Sequence, residues 1–256
     1  MTALADAHTE KPSLIGRKAV ITGGTTGIGR AIAVLLASEG VRVFICGRDP
    51  AHLADALARI REVGEGHGIT ADVAKPEDLA RFFEEARAYL GGIDIAVINA
   101  AISAESLSTM SEAEVRYAIA TDFTAYLISA HAAQEAMSGS ETDPADIVLI
   151  GSMSAHVLGP GSTVYAGIKA GIAGFAEALR RELGVKGTKV SLVEPGKTGA
   201  NMQYPDISAE EQRKMIHEET MLRAEDIAVG VHYLLTQPRR AVVQQLTIAP
   251  RRQEAE

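Results

Sequence analysis

The stretch that most limits what this chain can fold into begins at Arg17. Residues 17–22 form a short apolar run that reads as a buried strand and leads straight into Gly23-Gly24-Thr25-Thr26-Gly27-Ile28-Gly29. Beyond the glycines, Ile28, Ala31, Ile32, Leu35 and Leu36 recur at helical spacing, and the pattern stops at Gly40. Glycines at such a strand-to-helix turn let the backbone bend sharply and approach a ligand, while the helix start offers free N–H groups and positive potential. That combination suits a pyrophosphate. Thr25 and Thr26 add hydroxyls for phosphate or ribose oxygens. A plain tight turn fits the same residues, and the rest of the chain decides between the two.

Further strands are predicted at residues 41–46, 68–72, 93–99, 147–150, 189–193 and 242–248, and helices at 51–63, 76–90, 111–137 (with an interruption allowed) and 224–235. Another helix carries the apolar stripe Val164, Ile168, Ile172, Phe175, Leu179 and Leu183. Strand and helix alternate throughout, which argues an α/β fold: one parallel sheet with helices on both faces. With 46% hydrophobic residues in 256, the chain can fill one such core, and no linker or repeat divides it. The expected organisation is a loose tail over 1–14, a single catalytic domain over 15–250, and a short tail over 251–256. Residues 200–223 mix methionines and a tyrosine with charges. A substrate lid and an ordinary surface excursion both fit; the lid is favoured because the segment follows a strand end in an open sheet.

Chemistry is concentrated after the strand at 147–150. Ser152 lies just past its end, Tyr165 follows thirteen residues later, and Lys169 four after that. Tyr165 and Lys169 share one face of the first helical turns, beside the apolar stripe and free to point into a cleft. A phenol is too weak an acid for proton transfer near neutrality unless a nearby ammonium favours its anion. A serine hydroxyl can hold a carbonyl or alcohol oxygen meanwhile. The triad moves a proton on a C–O bond but carries no hydride, so a cofactor has to supply it. Together with the glycine-rich turn, this indicates a nicotinamide dinucleotide. The second strand ends Cys46-Gly47-Arg48, with a guanidinium where an NAD site usually puts a carboxylate. Arg48 suits a 2′-phosphate, so NADP(H) is expected ahead of NAD(H), although Asp49 next door complicates the choice.

Other classes fit poorly. A net charge of −8 disfavours nucleic acid and anionic membranes, and no apolar run reaches 18 residues. Cys46 is the only cysteine, and the first residues lack a signal-peptide core, so a cytoplasmic protein is expected. The histidines show no metal-ligand spacing, and no metal is expected. Ser152 sits in Ile-Gly-Ser-Met-Ser rather than a hydrolase elbow. A largely apolar substrate wall is expected from Ser103, His156, Val157, Leu158, Met202 and Tyr204; for His156 a solvent-facing position is the favoured alternative.

From about Arg17 to Pro250 the chain resembles the short-chain dehydrogenase/reductase family. The resemblance is carried by the turn 22–29, Asp72-Val73, Asn99-Ala100, Ser152, Tyr165-x-x-x-Lys169 and Pro195-Gly196. It implies a Rossmann-type, doubly wound, seven-stranded sheet in the order 3-2-1-4-5-6-7. It also implies adenine contacts from Asp72 and Val73, and Asn99 and Ala100 beside the adenosine ribose. Lys169 would bind the nicotinamide ribose, and Pro195, Gly196 and Thr198 would border the nicotinamide. The implied activity interconverts a ketone or aldehyde and an alcohol, with Tyr165 as general acid/base. A catalytically silent dinucleotide-binding protein on the same fold is the alternative. Family members are commonly dimers or tetramers, and Ala166, Gly167, Ala170, Gly171, Ala173 and Gly174 make one helix side flat enough for a partner. Three positions depart from the family pattern: Ile98 and Ala101 replace an asparagine and a glycine around Asn99-Ala100, Asp122 stands where the family's fourth catalytic residue is an asparagine, and Ala200 replaces a threonine, with Thr198 or Asn201 as substitutes.

Overall fold

Strands buried on both faces read as near-continuous apolar runs, and most positions of the central strands of this chain are apolar. A computed structural model describes residues 12–137, 145–158, 161–199 and 206–252. It contains one sheet made of β1 (Lys18–Ile21), β2 (Arg42–Gly47), β3 (Gly66–Thr70), β4 (Ile95–Ile98), β5 (Ala145–Ile150), β6 (Thr188–Pro195) and β7 (Gln245–Ile248). All neighbours are parallel and the order is β3-β2-β1-β4-β5-β6-β7, as the resemblance implies.

Side chains alternate across the sheet and build two cores. On one face Ile21, Val97 and Val148 pack against α1 (Gly27–Ser38), α2 (Pro50–Val63) and α8 (Ala224–Leu235), through residues such as Ile32, Ile60 and Val231. On the other, Val20, Ile147 and Leu149 meet α3 (Pro76–Leu90), α5 (Ala125–Met137) and α6 (Thr163–Gly184), through Phe82, Tyr126 and Ile172. Leu14, assigned to the tail by sequence, is 3% exposed and belongs to the first core.

Several elements differ from the sequence reading. β3 starts and ends two residues early, because Gly66 and Gly68 lie against β2, where a Cβ would meet Val43 Cγ2 at 2.7 Å and the Ile45 carbonyl oxygen at 2.4 Å. Its register frees Asp72 from the ladder. β4 stops at Ile98, since Asn99 turns its N–H to Thr22 Oγ1. β7 is shorter, with residues 242–244 outside the ladder. The segment read as a lid contains a helix, α7 (Ala209–His217), started by Ser208, whose hydroxyl accepts from Glu211 N at 3.1 Å; Ala200, Asn201, Met202 and Tyr204 lie outside the described residues.

The long predicted helix is interrupted by a π-helical turn. α4 (Glu112–Ile119) begins with a Ser111/Glu114 capping box, and a π turn over Ala120–Thr124 joins it to α5. Such turns insert one extra residue into a helix and recur at functional sites. Here Thr121 Oγ1 bonds the Tyr117 carbonyl, Phe123 packs over Gly171 of α6, and Asp122 is turned fully inward.

Candidate active site

The glycine-rich turn is packed too closely for side chains. Gly23 sits at φ +66°, and a Cβ there would come within 2.8 Å of Ala100 Cα. A Cβ on Gly29 would fall 2.2 Å from the Gly23 carbonyl oxygen. Gly29→Ala is therefore expected to destabilise the fold by about 2 kcal/mol and to weaken dinucleotide binding, read by thermal unfolding and by NADPH fluorescence titration. Thr22 Oγ1 accepts the N–H groups of Asn99 and Ala100, and Asn99 Nδ2 donates to the carbonyls of Thr22 and Gly23. Asn99 thus fastens the end of β4 to the turn. Thr26, the N-cap of α1, makes no side-chain capping bond. The first N–H groups of α1 are then left for an anion.

One cleft of about 1530 Å³ runs along the carboxyl ends of the strands. It brings together Gly23, Thr25, Thr26, Gly27, Ile28, Arg48, Asp72, Val73, Asn99, Ala100, Ser152, Tyr165, Lys169, Pro195 and Gly196. Two expected site residues are not on its wall. Gly29 is packed beneath the turn, and Thr198 is 1% exposed with Oγ1 donating to the Gly196 carbonyl at 2.9 Å. Ser103, His156, Val157 and Leu158 do not line it either. His156 instead turns Nε2 to the buried Glu194 carboxylate at 2.9 Å, and Leu158 is largely exposed. Thr121 is a wall residue the sequence did not single out, while Gln212 and Ile216 on the wall come from the segment read as a lid.

At the end of the cleft beside β2, Asp49 is occupied as the N-cap of α2. Its Oδ1 accepts from Ala51 N at 2.7 Å and His52 N at 2.9 Å, and the His52 N–H bond foremost holds its carboxyl below the usual range. Arg48 is exposed on the rim.

At the other end, Lys169 is 2% exposed, and its Nζ donates to the Ile150 carbonyl at 3.3 Å. The ammonium lies 5.3 Å from the centre of the Tyr165 ring and 5.2 Å from that of Tyr126. Tyr126 OH donates to the same Ile150 carbonyl at 2.9 Å, and burial pushes its pKa up to about 12, so it stays a neutral donor. Ser152 is buried at the end of β5, its hydroxyl accepting from Ser154 N at 3.1 Å. Asp122 is fully buried: Oδ1 accepts from Ile102 N at 2.8 Å and Oδ2 has no partner. Burial raises its pKa to about 6, against the lowering influence of the Lys169 charge, the Ile102 N–H and Arg48.

Tyr126 was missed in the sequence. Its place one turn after Asp122 on an inward face was the available signal.

The fold, the glycine turn and the Ser152–Tyr165–Lys169 cleft meet in one class of protein, and comparison with known proteins agrees. Residues 17–211 match the family model for short chain dehydrogenases. The chain belongs to the short-chain dehydrogenase/reductase family of oxidoreductases. A 3-oxoacyl-[acyl-carrier-protein] reductase of Homo sapiens is 30% identical over 220 residues, covering 85% of this chain and 90% of that protein. Carbonyl reductase family member 4 of Xenopus laevis is 29% identical over 219 residues, covering 85% and 90%. A short chain dehydrogenase from Burkholderia cenocepacia, solved in complex with NADP, matches with a TM-score of 0.81 at 30% identity, over 93% of this chain and 98% of that one. No helix among the described residues is long and apolar enough to cross a membrane.

Proposed function

We propose that the protein is an NADP(H)-dependent oxidoreductase that interconverts a ketone or aldehyde with an alcohol. The observation that carries this reading is the placement of Ser152, Tyr165 and the buried Lys169 ammonium on the wall of the same cleft as the glycine turn. The turn fits a dinucleotide because it is closed to side chains, and the N–H groups of α1 are left uncapped. Bound NADPH supplies the hydride, and NADPH, a carbonyl and one proton become NADP⁺ and an alcohol.

This chain's residues do the rest. Gly23 to Gly29 and the start of α1 hold the pyrophosphate; Asp72 and Val73 flank the adenine; Asn99 and Ala100 border its ribose; and Pro195 and Gly196 border the nicotinamide, with Thr198 behind them bonding the Gly196 carbonyl. Ser152 holds the substrate oxygen as negative charge grows on it. Tyr165 donates the proton in reduction and takes it back in oxidation. Lys169 sets its charge against the Tyr165 phenol, favouring release of that proton, and bonds the nicotinamide ribose. Residues 200–223 act as a lid, its described part contributing Gln212 and Ile216 to the cleft wall.

The 2′-phosphate falls to Arg48. Asp49 is engaged in capping α2, which leaves the guanidinium as the specificity group at the tip of β2. Arg48→Asp is expected to shift the kcat/KM ratio of NADPH over NADH by about a hundredfold toward NADH, measured on one carbonyl substrate. The reaction class itself is tested by NADPH consumption, followed by absorbance, over simple ketones, aldehydes and 3-oxoacyl compounds, the last prompted by the name of one relative. Turnover on at least one is the expected result.

We also read the chain as a cytoplasmic homo-oligomer, a dimer or tetramer. Gly167 and Gly174 of α6 face open space, Gly167 in a surface hollow shared with exposed Leu107 and Ile119, whereas Gly171 is filled by Phe123 within the chain.

A further inference from the structure

Tyr117 of α4 belongs to none of the roles above, yet it joins two of the cofactor residues. Its hydroxyl accepts from Arg48 Nη1 at 2.8 Å and donates to Asp72 Oδ2 at 3.0 Å. The three groups come from three elements: the turn after β2, the turn after β3, and α4. Asp72 is the fixed end of this chain, because its Oδ1 accepts from Ala74 N at 3.1 Å and its own N–H donates to Asp78 Oδ2 at 2.9 Å. Arg48 is the free end. Among the described residues, the bond to Tyr117 is the one hydrogen bond its side chain makes.

Two consequences follow from placing a phenol between a guanidinium and a carboxylate. An exposed arginine holds several rotamers, and their entropy is lost when it meets a ligand; a donor tethered in advance loses less. The guanidinium has five N–H groups, and only one is taken by Tyr117, so the others stay available for a phosphate. The phenol also occupies Asp72 Oδ2 itself. Without it, that carboxylate and Arg48 are free to pair directly, and the cation would then be partly neutralised where a dianion has to bind. A neutral hydroxyl at this junction orients Arg48 without cancelling its charge.

We propose that Tyr117 is a specificity-determining positioning residue: it presents Arg48 to the 2′-phosphate of the cofactor and keeps Asp72 from neutralising it. The proposal rests on the reading of Arg48 as the 2′-phosphate partner, and the test separates the two. The full chain is titrated calorimetrically with 2′,5′-ADP and with 5′-AMP, which differ only in the phosphate at issue. Wild-type protein that binds both equally overturns the Arg48 reading and the proposal together. Given a wild-type preference for 2′,5′-ADP, Tyr117→Phe is expected to weaken 2′,5′-ADP by about tenfold and to change 5′-AMP by less than about twofold. Phenylalanine keeps the ring packing, so loss of fold is not the expected cause, and a matching thermal melt checks it. Equal weakening of both ligands, or no change in either, overturns the role of Tyr117 while leaving Arg48 in place.

Discussion

Replacing Tyr165 with phenylalanine is expected to lower kcat by about three orders of magnitude while the Kd for NADPH changes by less than about threefold. The substitution removes a single oxygen from a ring that keeps its place at the start of α6. Lys169 would still sit over that ring, still donate to the Ile150 carbonyl, and still face the cleft. What disappears is the only phenolic proton on the cleft wall among the described residues, since Tyr126 is buried and committed to the Ile150 carbonyl. Stopped-flow turnover and NADPH titration on the same preparations separate the two effects. A variant that keeps more than about a tenth of wild-type kcat would remove Tyr165 from the proton-transfer role.

The second large effect concerns Asp122. Its carboxyl is raised from the ordinary aspartate value to about 6, chiefly by burial. A group with a raised folded pKa binds its proton more tightly in the folded state, so its contribution to stability is greatest below the unfolded pKa, near 4. That contribution is lost as pH rises through about 6. Across that window the loss amounts to about 3 kcal/mol. Asp122→Asn keeps the oxygen that accepts from Ile102 N–H but cannot titrate. The stability of the variant minus that of wild type is therefore expected to rise between about pH 4 and pH 6 and to level off above. Any pH-independent effect of the substitution adds only a constant offset, so the slope of the difference is the diagnostic, read by denaturant unfolding at several pH values. A difference that stays flat from pH 4 to 7 would mean that Asp122 does not titrate in that range. The same proton should appear as an acid limb near pH 6 in the kcat profile, absent from the Asn variant.

Much of this molecule was legible in its sequence because the informative residues are local. Strand, glycine turn and helix follow one another from Lys18 to Ser38, and the Tyr165/Lys169 pair sits on a single helix, so spacing alone brings these groups close. The strand order needed the family resemblance, since periodicity carries no information about which strands are neighbours. β3 was misplaced because its glycines make room for β2 and so carry no apolar signal. The π turn was allowed for only as an interruption: helix signals run through it, and it is fixed by Phe123 seating on Gly171 from another helix. His156 is exposed, as the favoured sequence reading has it, but its bond to Glu194, 38 residues away, carries no sequence signal. The Arg48–Tyr117–Asp72 chain is non-local for the same reason, each link spanning 45 residues or more.

The central claim is that this cleft passes a hydride to a carbonyl while Tyr165 supplies the proton. NADPH deuterated at the transferring position of C4, incubated with the enzyme and a ketone it turns over, tests it most directly by mass spectrometry of the alcohol. The expected result is one deuterium at the carbinol carbon, with product formation collapsing in Tyr165→Phe. Tight NADPH binding with no deuterated alcohol from any ketone, aldehyde or 3-oxoacyl compound tried would contradict it and leave a dinucleotide-binding protein in its place.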